Sequence, residues 1–391
     1  MSFALRLRRR LGYARAWTRG AAIEALHRPA PGGPPDGPGS GFAVVIDLRE
    51  TAVERYLYTI ARTFHEAGYV VWTSARPAYR HVENKYGRLT RTLPGGRLGR
   101  GRGADPARTL YVTDRPARVP DRPWRAVLPV DYDFYGAPAD ALVAPYTMHP
   151  LVYDRGDHRP SNLAALRARR RSVGVLFLGN NSVGSYSSGP VVDVFGLTPR
   201  APLLAELDGL MTAIPAPADA PLVDGVPRGT PDDIAAGAAA DQAVQPDGWR
   251  VADAEFLRAL ALASFFVAAP GVAIPHSHNI VEAMAAGTVP ITNYGHFMRP
   301  ALTDREAVLF SDGDIRDAVE RALAMPEAER AAMSAAAAVY YEDHLSGAAF
   351  GRRVEAALAA PGSPGPLYIP GGRPTLRALA DLPDRLAQAS A

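Results

Sequence analysis

Short apolar segments alternate along the chain with longer segments whose apolar positions recur at helical spacing. The first apolar segment, Phe42–Ile46, predicts a buried strand, and a stripe from Val53 to Phe64 predicts the helix that follows it. The same pattern predicts further strands at Tyr69–Trp72, Thr109–Thr113, Arg125–Val130, Val173–Leu178, Phe265–Ala268, Thr288–Thr292 and Ala307–Phe310. Strands that alternate with helices build parallel sheets covered on both faces, so the sequence predicts the α/β class.

Composition shifts divide the chain into a body and two extensions. Residues 1–28 carry arginines around a narrow apolar stripe and predict a basic amphipathic helix, and residues 29–41 predict a Pro/Gly linker. The body then predicts two Rossmann-like domains, one over residues 42–165 and one over residues 170–360. Residues 361–391 predict a C-terminal tail that ends in a helix.

Two stretches inside the body lack a clear strand or helix pattern. Residues 88–108 are rich in glycine and arginine and predict a mobile loop. Residues 214–247 are rich in Pro, Ala, Asp and Gly and predict a long irregular insertion in the second domain. Both stretches are therefore expected to lie outside the sheets.

Charge and composition narrow the function classes. The 391 residues carry a formal net charge of +3 and no cysteine, which excludes disulfide scaffolds, thiolate metal sites and cysteine nucleophiles. Lys85 is the single lysine, so cationic contacts to phosphate are expected from arginine, whose planar fork binds phosphate through two hydrogen bonds. No basic groove with interleaved aromatic residues is evident, so a nucleic-acid partner is not expected.

The N-terminal segment bears on localisation. Arginines interrupt every apolar run of residues 1–28, which excludes a signal peptide, and the longest apolar run, from Leu260, is too short to span a bilayer. A cytoplasmic location is therefore expected. The basic helix predicts either peripheral contact with an anionic membrane surface or packing on its own domain or on a partner subunit, so a homodimer stays open.

The stretch Ser264–Asn293 carries the candidate chemistry. It predicts a strand, a loop, a short helix with Ser277 as its N-cap and Gly287 as its C-cap residue, and a second strand. The unpaired N–H groups and the partial positive charge at a helix N-terminus favour a phosphate. The start of this helix is therefore a candidate anion site.

Four side chains surround that helix start. His276, His278 and Asn279 add hydrogen-bond donors, and Glu282 lies about one turn inside the helix. Phosphate donors next to a carboxylate that accepts two hydrogen bonds from a ribose diol suit a nucleoside diphosphate. The alternative is a buried strand–helix–strand unit in which Glu282 makes a structural ion pair.

The segment HSHNIVEAMAAGTVPI resembles the donor-site motif of GT-B fold glycosyltransferases, in which an acidic residue of an E-A-M/L-A-x-G-x-x-P-I/V helix holds the ribose. The pattern of the exostosin-like group is similar, with matches at Ser264, Phe265, Pro270, Gly271, Ser277, Glu282, Ala283, Gly287, Pro290 and Ile291. Two positions depart from the family patterns. Asn279 stands where an arginine is expected, and Ile274 stands where retaining families with paired glutamates carry the first one.

The resemblance implies two Rossmann-like domains facing a cleft, with a nucleotide-sugar donor on the second domain and a hydroxyl acceptor entering from the first. The acceptor class stays open between a glycan, a lipid and a small natural product. The donor is a substrate, and no further cofactor is expected. No metal is expected either, because no carboxylate pair accompanies His276 and His278. The tail of residues 361–391 is expected to cross back to the first domain.

The resemblance also implies roles on the donor side. The backbone of Gly179 and Asn180, in the turn after the strand Val173–Leu178, is expected near the donor phosphates. Arg299, in a loop after the motif, is expected to reach phosphate or sugar. The ribose role requires the side chain of Glu282 to be open to the cleft rather than sealed in the interior.

On the acceptor side, three residues are candidates for the base that deprotonates the acceptor hydroxyl. Asp47 and Glu50 lie in the turn after the first strand, and His149 lies in a segment that leads towards the second domain. Two other functions remain open: a nucleotide-sugar epimerase or hydrolase of the same fold, and a non-catalytic peripheral membrane or assembly protein that uses residues 1–28.

Overall fold

The structure, a computed structural model, describes residues 22, 27–48, 54–73, 85–180, 183–311, 313–370, 375 and 377. The predicted N-terminal helix, Glu50 and most of the predicted C-terminal tail with its crossover helix lie outside these residues and stay predictions.

The strands, labelled in chain order, are β1 (Ala43–Asp47), β2 (Val70–Thr73), β3 (Arg97–Leu98), β4 (Thr109–Thr113), β5 (Ala126–Asp131), β6 (Val173–Leu176), β7 (Met211–Pro215), β8 (Leu222–Val223), β9 (Val226–Gly229), β10 (Ala243–Asp247), β11 (Arg250–Val251), β12 (Ala263–Val267), β13 (Val289–Thr292), β14 (Val308–Leu309) and β15 (Leu367–Tyr368).

The α-helices of the described residues are α1 (Glu54–Glu66), α2 (Lys85–Arg91), α3 (Pro150–Arg155), α4 (Pro160–Arg167), α5 (Val183–Tyr186), α6 (Pro190–Asp193), α7 (Arg200–Ala205), α8 (Pro231–Ala236), α9 (Phe256–Leu260), α10 (His278–Ala285), α11 (Ile315–Ala324), α12 (Glu327–Tyr340) and α13 (Gly347–Ala359). A π-helical turn, Tyr341–Leu345, follows α12.

The chain forms two compact units. Unit 1 takes the residues up to Pro145 and from Ser346 onward, and unit 2 takes Tyr146–Leu345. The predicted domain boundary near residues 165–170 differs, because α3 and α4 belong to unit 2. Arg167 at the end of α4 donates from Nε to the carbonyl oxygen of Ala285 at 2.9 Å, which joins α4 to the end of α10.

The unit 1 sheet has the strand order β3-β2-β1-β4-β5-β15, and every neighbouring pair is parallel. Its central strands, β1 and β4, are buried and rich in β-branched and aromatic residues, as expected for strands covered on both faces. Residues 88–108 are not only a loop, because Arg97 pairs with Trp72 and so adds β3 to the sheet edge.

The helix α13 packs on α1 inside unit 1. The contact needs glycine, since a Cβ at Gly347 would lie 2.5 Å from Glu66 Cβ and one at Gly351 would lie 2.8 Å from Ala67 Cβ. This close approach explains why α13 joins unit 1 rather than the predicted second domain of residues 170–360.

The predicted linker, residues 29–41, also lies against unit 1. The N–H of Gly39 donates to the carbonyl oxygen of Ala67 at 2.7 Å, and a Cβ at Gly39 would lie 2.3 Å from the ring of Tyr69. The glycines that predict flexibility here permit close packing of the backbone on an aromatic ring.

The unit 2 sheet has the strand order β7-β10-β6-β12-β13-β14, again with parallel neighbours. The prediction of an irregular insertion over residues 214–247 is wrong, because β7 and β10 flank this stretch and both belong to the main sheet. Between them, β8 and β9 pair antiparallel, and β11, which follows β10, joins β9 in a small separate sheet.

The predicted fold class is confirmed, since each unit has a parallel six-stranded sheet with helices in the connections between strands. The predicted cleft stays a prediction. Within the described part of the chain, no helix has both the length and the apolar character needed to cross a bilayer.

Candidate functional site

Each main sheet has one point at which its strand order reverses. This reversal point lies between β1 and β4 in unit 1 and between β6 and β12 in unit 2. In open parallel sheets, the loops that leave the two strands at this point diverge and leave room for a ligand at the carboxyl ends. Asp47, Gly179 and Asn180 lie at the ends of these strands or directly after them.

At the unit 1 reversal point, Asp47 is buried, with 3% of its surface exposed. Its Oδ2 accepts hydrogen bonds from Arg100 Nε at 2.9 Å and from the hydroxyl of Tyr111 at 2.8 Å. Burial, followed by the charge of Asp47, raises the pKa of Tyr111 to about 12, so the phenol remains a donor at neutral pH. The carboxylate is therefore compensated inside unit 1, and its predicted role as a base stays a prediction.

In unit 2, the loop between β12 and α10 is closed on itself at Gly271. The N–H of Gly271 donates to the carbonyl oxygen of Pro275 at 3.0 Å. A Cβ at this position would lie 2.6 Å from the oxygen of Ile274 and 2.7 Å from that of His276, so only glycine fits. The closed loop fixes the position at which α10 begins.

Ser277 is the N-cap residue of α10, as predicted, but its hydroxyl does not cap the helix. The Oγ atom lies 3.0 Å from the hydroxyl of Tyr294, and the cap makes no side-chain hydrogen bond to the first turn. Ser and Thr at this position normally accept a first-turn N–H. The Ser277 side chain therefore satisfies none of the N–H groups at the start of α10.

The opposite end of α10 is firmly anchored. Gly287 adopts a φ of +71°, its N–H donates to the oxygen of Met284, and the next N–H donates to that of Ala283. This pair of bonds is a Schellman motif and confirms the predicted C-cap. The guanidinium of Arg171 also donates to the oxygen of Ala286, which places a positive charge at the negative end of the helix.

Glu282 is almost completely buried, with 1% of its surface exposed. Its Oε1 accepts a hydrogen bond from the backbone N–H of His149 at 2.7 Å. Burial raises the pKa of the carboxyl group to about 8, although the His149 N–H acts in the opposite direction, so the group is protonated at neutral pH.

Two expectations for Glu282 are therefore wrong. The side chain is not open, because the backbone of His149 lies against it, and it makes no structural ion pair, because its partner is an amide rather than a cation. In the described structure its second oxygen, Oε2, accepts no hydrogen bond, so the carboxyl group keeps binding capacity.

The predicted residues His149 and His278 lie beside Glu282. His278 Nδ1 donates to the oxygen of Thr147 at 2.7 Å, so its lone pair is on Nε2, and the two imidazole rings are 5.5 Å apart. His149 Nδ1 accepts a long hydrogen bond of 3.4 Å from the N–H of Leu151. The segment from Thr147 to His149 is thus held to α10 on both sides of its first turn.

His276 and Asn279 are engaged in structural contacts. His276 is 2% exposed and packs on the ring of Tyr146, with the ring centroids 5.1 Å apart. Burial, and then the nearby charge of Arg299, lowers its pKa to about 3, so it is neutral and adds no positive charge. Asn279 Nδ2 donates to the oxygen of Leu178 at 2.9 Å, which ties α10 to the end of β6.

Arg200, the first residue of α7, is a site residue that the sequence pattern did not identify. Its guanidinium donates from Nη1 to the oxygen of Asn180 at 3.0 Å and from Nη2 to that of Ala269 at 3.3 Å. A Cβ at Gly179 would lie 3.6 Å from Nη1. The lack of lysines predicts that an arginine binds phosphate, but the sequence has too many arginines to single out this one.

The structure therefore places all eight predicted donor-site residues within unit 2. They are Gly179, Asn180, His276, Ser277, His278, Asn279, Glu282 and Arg299, with His149 beside them. Asp47 lies in unit 1, and Glu50 lies outside the described residues. Within the described ranges, no group of three or more His, Asp, Glu or Cys side chains is placed to hold a metal ion.

No protein-family model matches the chain, and no curated protein matches it. Among solved structures, a glycosyltransferase from Rickettsia africae ESF-5 is similar at 10% identity, with a TM-score of 0.43, over 81% of this chain and 98% of that one.

Two further structures are similar over the same share of this chain. Anabaena Alr3699/HepE in complex with UDP shares 13% identity over 100% of its own length, with a TM-score of 0.40. An α-glucosyltransferase in complex with UDP and a 13-mer DNA shares 8% identity over 99% of its length, with a TM-score of 0.37.

Proposed function

We propose that the chain is a glycosyltransferase that moves a sugar from a nucleotide-sugar donor to a hydroxyl group of an acceptor. The observation that carries the proposal is the uncapped start of α10 at the reversal point of the unit 2 sheet. Because the Ser277 hydroxyl contacts Tyr294 instead, the first-turn N–H groups are available to the donor diphosphate. The same groups would stabilise the negative charge that the diphosphate gains as it leaves.

The sequence of α10 supports a sugar nucleotide as the anion that binds at this site. The motif that resembles the GT-B donor site runs through the whole strand–loop–helix–strand unit. At two of its matched positions the backbone geometry requires glycine, since Gly271 permits the closed loop and Gly287 permits the Schellman turn. The match therefore extends to the backbone geometry that the motif needs.

The buried state of Glu282 does not meet the requirement of an open side chain, so its assignment to the ribose, in the protonated form, holds only if the nucleotide displaces the cover of the carboxyl group. One carboxyl oxygen accepts from the N–H of His149, and the other is open to a hydrogen bond with a ribose hydroxyl. A protonated carboxyl group donates one hydrogen bond and accepts others, which suits a diol. Since only 1% of the side chain is exposed, the nucleotide must displace part of its cover to reach it.

Nucleotide affinity tests the ribose assignment. A thermal-shift screen with UDP, GDP, TDP and CMP identifies the nucleotide that stabilises the protein. Calorimetry then compares the affinity of the protein for this nucleotide with its affinity for the corresponding dideoxyribose nucleotide. We expect Glu282→Ala to weaken the ribose form about tenfold and to leave the dideoxy form unchanged. Glu255→Ala, which removes a half-exposed carboxylate of the same unit, is the matched control. Equal affinities in Glu282→Ala and the wild type would refute the assignment.

Product analysis tests the transfer itself. With the preferred sugar nucleotide and a panel of glycan, lipid and natural-product acceptors, we expect nucleotide release that depends on an acceptor and a glycosylated product in the mass spectrum. Release without an acceptor would indicate a hydrolase, and an isomerised donor would indicate an epimerase. A protein that no nucleotide stabilises would contradict the proposal as a whole.

On the acceptor side, we propose that Asp47, Glu50 or His149 removes the proton of the hydroxyl group. The base is the residue whose substitution abolishes transfer while the affinity for the donor nucleotide stays unchanged. Asp47→Asn and His149→Ala are the informative changes among the described residues. A variant that loses transfer and donor affinity together would exclude that residue as the base.

A further inference from the structure

Two segments of unit 1 carry positive charge and no carboxylate. The chain as a whole is nearly balanced, with 43 Lys and Arg residues against 40 Asp and Glu residues. Residues 85–104 nevertheless hold six cationic residues and no acidic one, and residues 27–35 hold Arg28 and no acidic one. Protein surfaces normally mix charges of both signs, so this separation points to an anionic partner.

The two segments lie against each other. His27 Nε2 is 3.3 Å from the carbonyl oxygen of Gly96, and Ala30 forms a parallel bridge with Pro94. From the inside, the buried His65 at the end of α1 contacts the carbonyl oxygen of Pro94 at 3.0 Å. Residues 27–30 therefore pack on the loop that joins α2 to β3.

Four arginines surround this loop. Arg88 and Arg91 lie three residues apart on α2, and so on one face of the helix. Arg97 lies on β3 directly after the loop, and Arg28 follows the residue that contacts it. Three of the four side chains are exposed and that of Arg91 is half-buried. Within the ranges that the structure describes, none of them forms an ion pair. These four residues are called the basic surface below.

A structural explanation covers only one of the four. The guanidinium of Arg97 lies over the ring of Trp72, with Cζ 5.1 Å from the ring centroid, and β3 is an edge strand. A charged side chain on an edge strand protects the sheet against pairing with another chain. Arg88 and Arg91 lie on a helix and Arg28 lies on no strand, so this explanation does not extend to them.

The sequence that precedes His27 indicates which anion the basic surface meets. Residues 1–26 hold six arginines and a single acidic residue, Glu24, and apolar residues recur among the arginines at Phe3, Leu7 and Leu11. A soluble polyanion requires only the charges. A bilayer surface uses both kinds of residue, because cations contact the headgroups while apolar side chains enter the boundary with the acyl chains.

We propose that the basic surface of unit 1 docks on the anionic surface of a lipid bilayer, together with residues 1–26. Residues 27–30 pack on the loop inside the basic surface, so the arginines before and after His27 meet the same membrane. Each arginine close to an anionic bilayer raises the affinity about fivefold. The proposal does not depend on the proposed function.

Cosedimentation of the full chain with lipid vesicles tests the proposal. The vesicles consist of phosphatidylcholine, alone or with about 30% phosphatidylglycerol as the anionic lipid. We expect binding to the anionic vesicles only, and we expect it to weaken as the salt concentration rises, because salt screens exposed charges. The combined change Arg88→Gln, Arg91→Gln and Arg97→Gln should weaken this binding about 100-fold, since three contributions of about fivefold are lost.

The matched control removes three exposed arginines of unit 2 and lowers the net charge by the same amount. It combines Arg169→Gln, Arg170→Gln and Arg305→Gln, and it should keep the wild-type binding to the anionic vesicles. An equal loss in the two triple variants would show that net charge rather than the basic surface governs binding, and would overturn the proposal.

Two further measurements keep the proposal open to refutation. Binding to inorganic polyphosphate without binding to either kind of vesicle would identify a soluble polyanion as the partner and would overturn the proposal. Circular dichroism shows whether the variant of the basic surface folds. If it does not, Arg88→Gln alone, which changes an exposed side chain, should weaken vesicle binding about fivefold. Wild-type binding in that variant would overturn the proposal.

Membrane docking and sugar transfer fail in different ways. The basic surface holds none of the predicted donor-site residues, so its variant should keep the wild-type stabilisation by the nucleotide. If vesicle binding depends on these arginines but the wild type turns over no sugar nucleotide, the docking surface stands and the glycosyltransferase assignment fails. If sugar transfer proceeds but no vesicle is bound, the assignment stands and the docking surface fails.

Discussion

The reversal points of the two sheets both hold buried ionisable side chains, but only in unit 1 does a buried charge have an opposite charge beside it. In unit 1, the carboxylate of Asp47 lies 2.8 Å from Arg100 Nη2 and also accepts from Tyr111. In unit 2, Arg200 contacts carbonyl oxygens and the carboxyl group of Glu282 contacts an amide. Arg200 and Glu282 are buried about as deeply as Asp47, and neither of them has an opposite charge beside it among the described residues.

The difference indicates that the edge of the unit 2 sheet, rather than that of unit 1, binds a ligand. A chain that buries a charge generally supplies its partner, as unit 1 does. In unit 2 the two buried groups respond in the way that desolvated groups do, since burial lowers the pKa of Arg200 and raises that of Glu282. A nucleoside diphosphate would supply an anion to the first group and hydroxyl groups to the second.

The largest expected effect comes from breaking the completed pair in unit 1. Arg100→Met leaves the carboxylate of Asp47 buried with Tyr111 as its remaining donor among the contacts described above. We expect the free energy of unfolding to fall by about 3 kcal/mol, less than for a fully buried pair because the Arg100 side chain is 39% exposed. Urea unfolding followed by circular dichroism measures the change.

The double variant is the control for this prediction. Asp47→Asn removes the charge that Arg100 compensates, so adding it to Arg100→Met should restore most of the lost stability. A double variant as unstable as the sum of the two single variants would show that the pair does not couple. Arg200→Met, the matching change in unit 2, should leave the stability unchanged or raise it, in contrast to Arg100→Met.

The elements around the unit 2 site could be predicted from the sequence to the extent that they are buried on both faces. The strands β6, β12 and β13 are short continuous apolar runs, and both ends of α10 carry local signals in Ser277 and Gly287. The strand β7 carries no such signal, because it lies at the sheet edge with Thr212 and Ala213 exposed. Its neighbour β10 contains Pro246, which masks the strand pattern.

The state of the site depends on contacts that local patterns cannot reveal. The Ser277 hydroxyl is taken by Tyr294, 17 residues later, and Glu282 is covered by His149, 133 residues earlier. The burial of Arg200 likewise depends on the turn after β6 and the loop after β12, to which it donates. The sequence predicted the type of site, and the tertiary contacts decide which of its side chains are available.

A smaller effect is expected from the pH dependence that Glu282 imposes on unit 2. Its pKa rises from an ordinary 4.5 to about 8, so between these pH values the folded state holds a proton that the unfolded state has lost. Stability from the neutral form is therefore fully present below about pH 4.5 and is lost as the pH rises to about 8. Glutamine at this position stays neutral at every pH.

Glu282→Gln measures this loss directly. We expect the variant and the wild type to differ little in unfolding free energy at about pH 5, and the variant to be the more stable of the two at about pH 9. Other groups that titrate in this range, such as His276, cancel in the difference. A constant difference at both pH values would show that the carboxyl group does not titrate with folding and that the contrast between the units is smaller than described.

The smallest expected change concerns the contact that keeps the start of α10 uncapped. Tyr294→Phe removes the hydroxyl group that lies 3.0 Å from Ser277 Oγ. The buried hydrogen bond is lost, but Ser277 becomes able to accept a first-turn N–H, so the two effects offset and stability should change by less than about 1 kcal/mol. The capped helix then competes with a phosphate for the same N–H group, and calorimetry with pyrophosphate should show an affinity a few-fold weaker than in the wild type.

Ser277→Ala combined with Tyr294→Phe removes the competing hydroxyl, so this double variant should recover the wild-type affinity. If the double variant binds as weakly as Tyr294→Phe alone, Tyr294 acts on the anion through its own hydroxyl group rather than through the helix start.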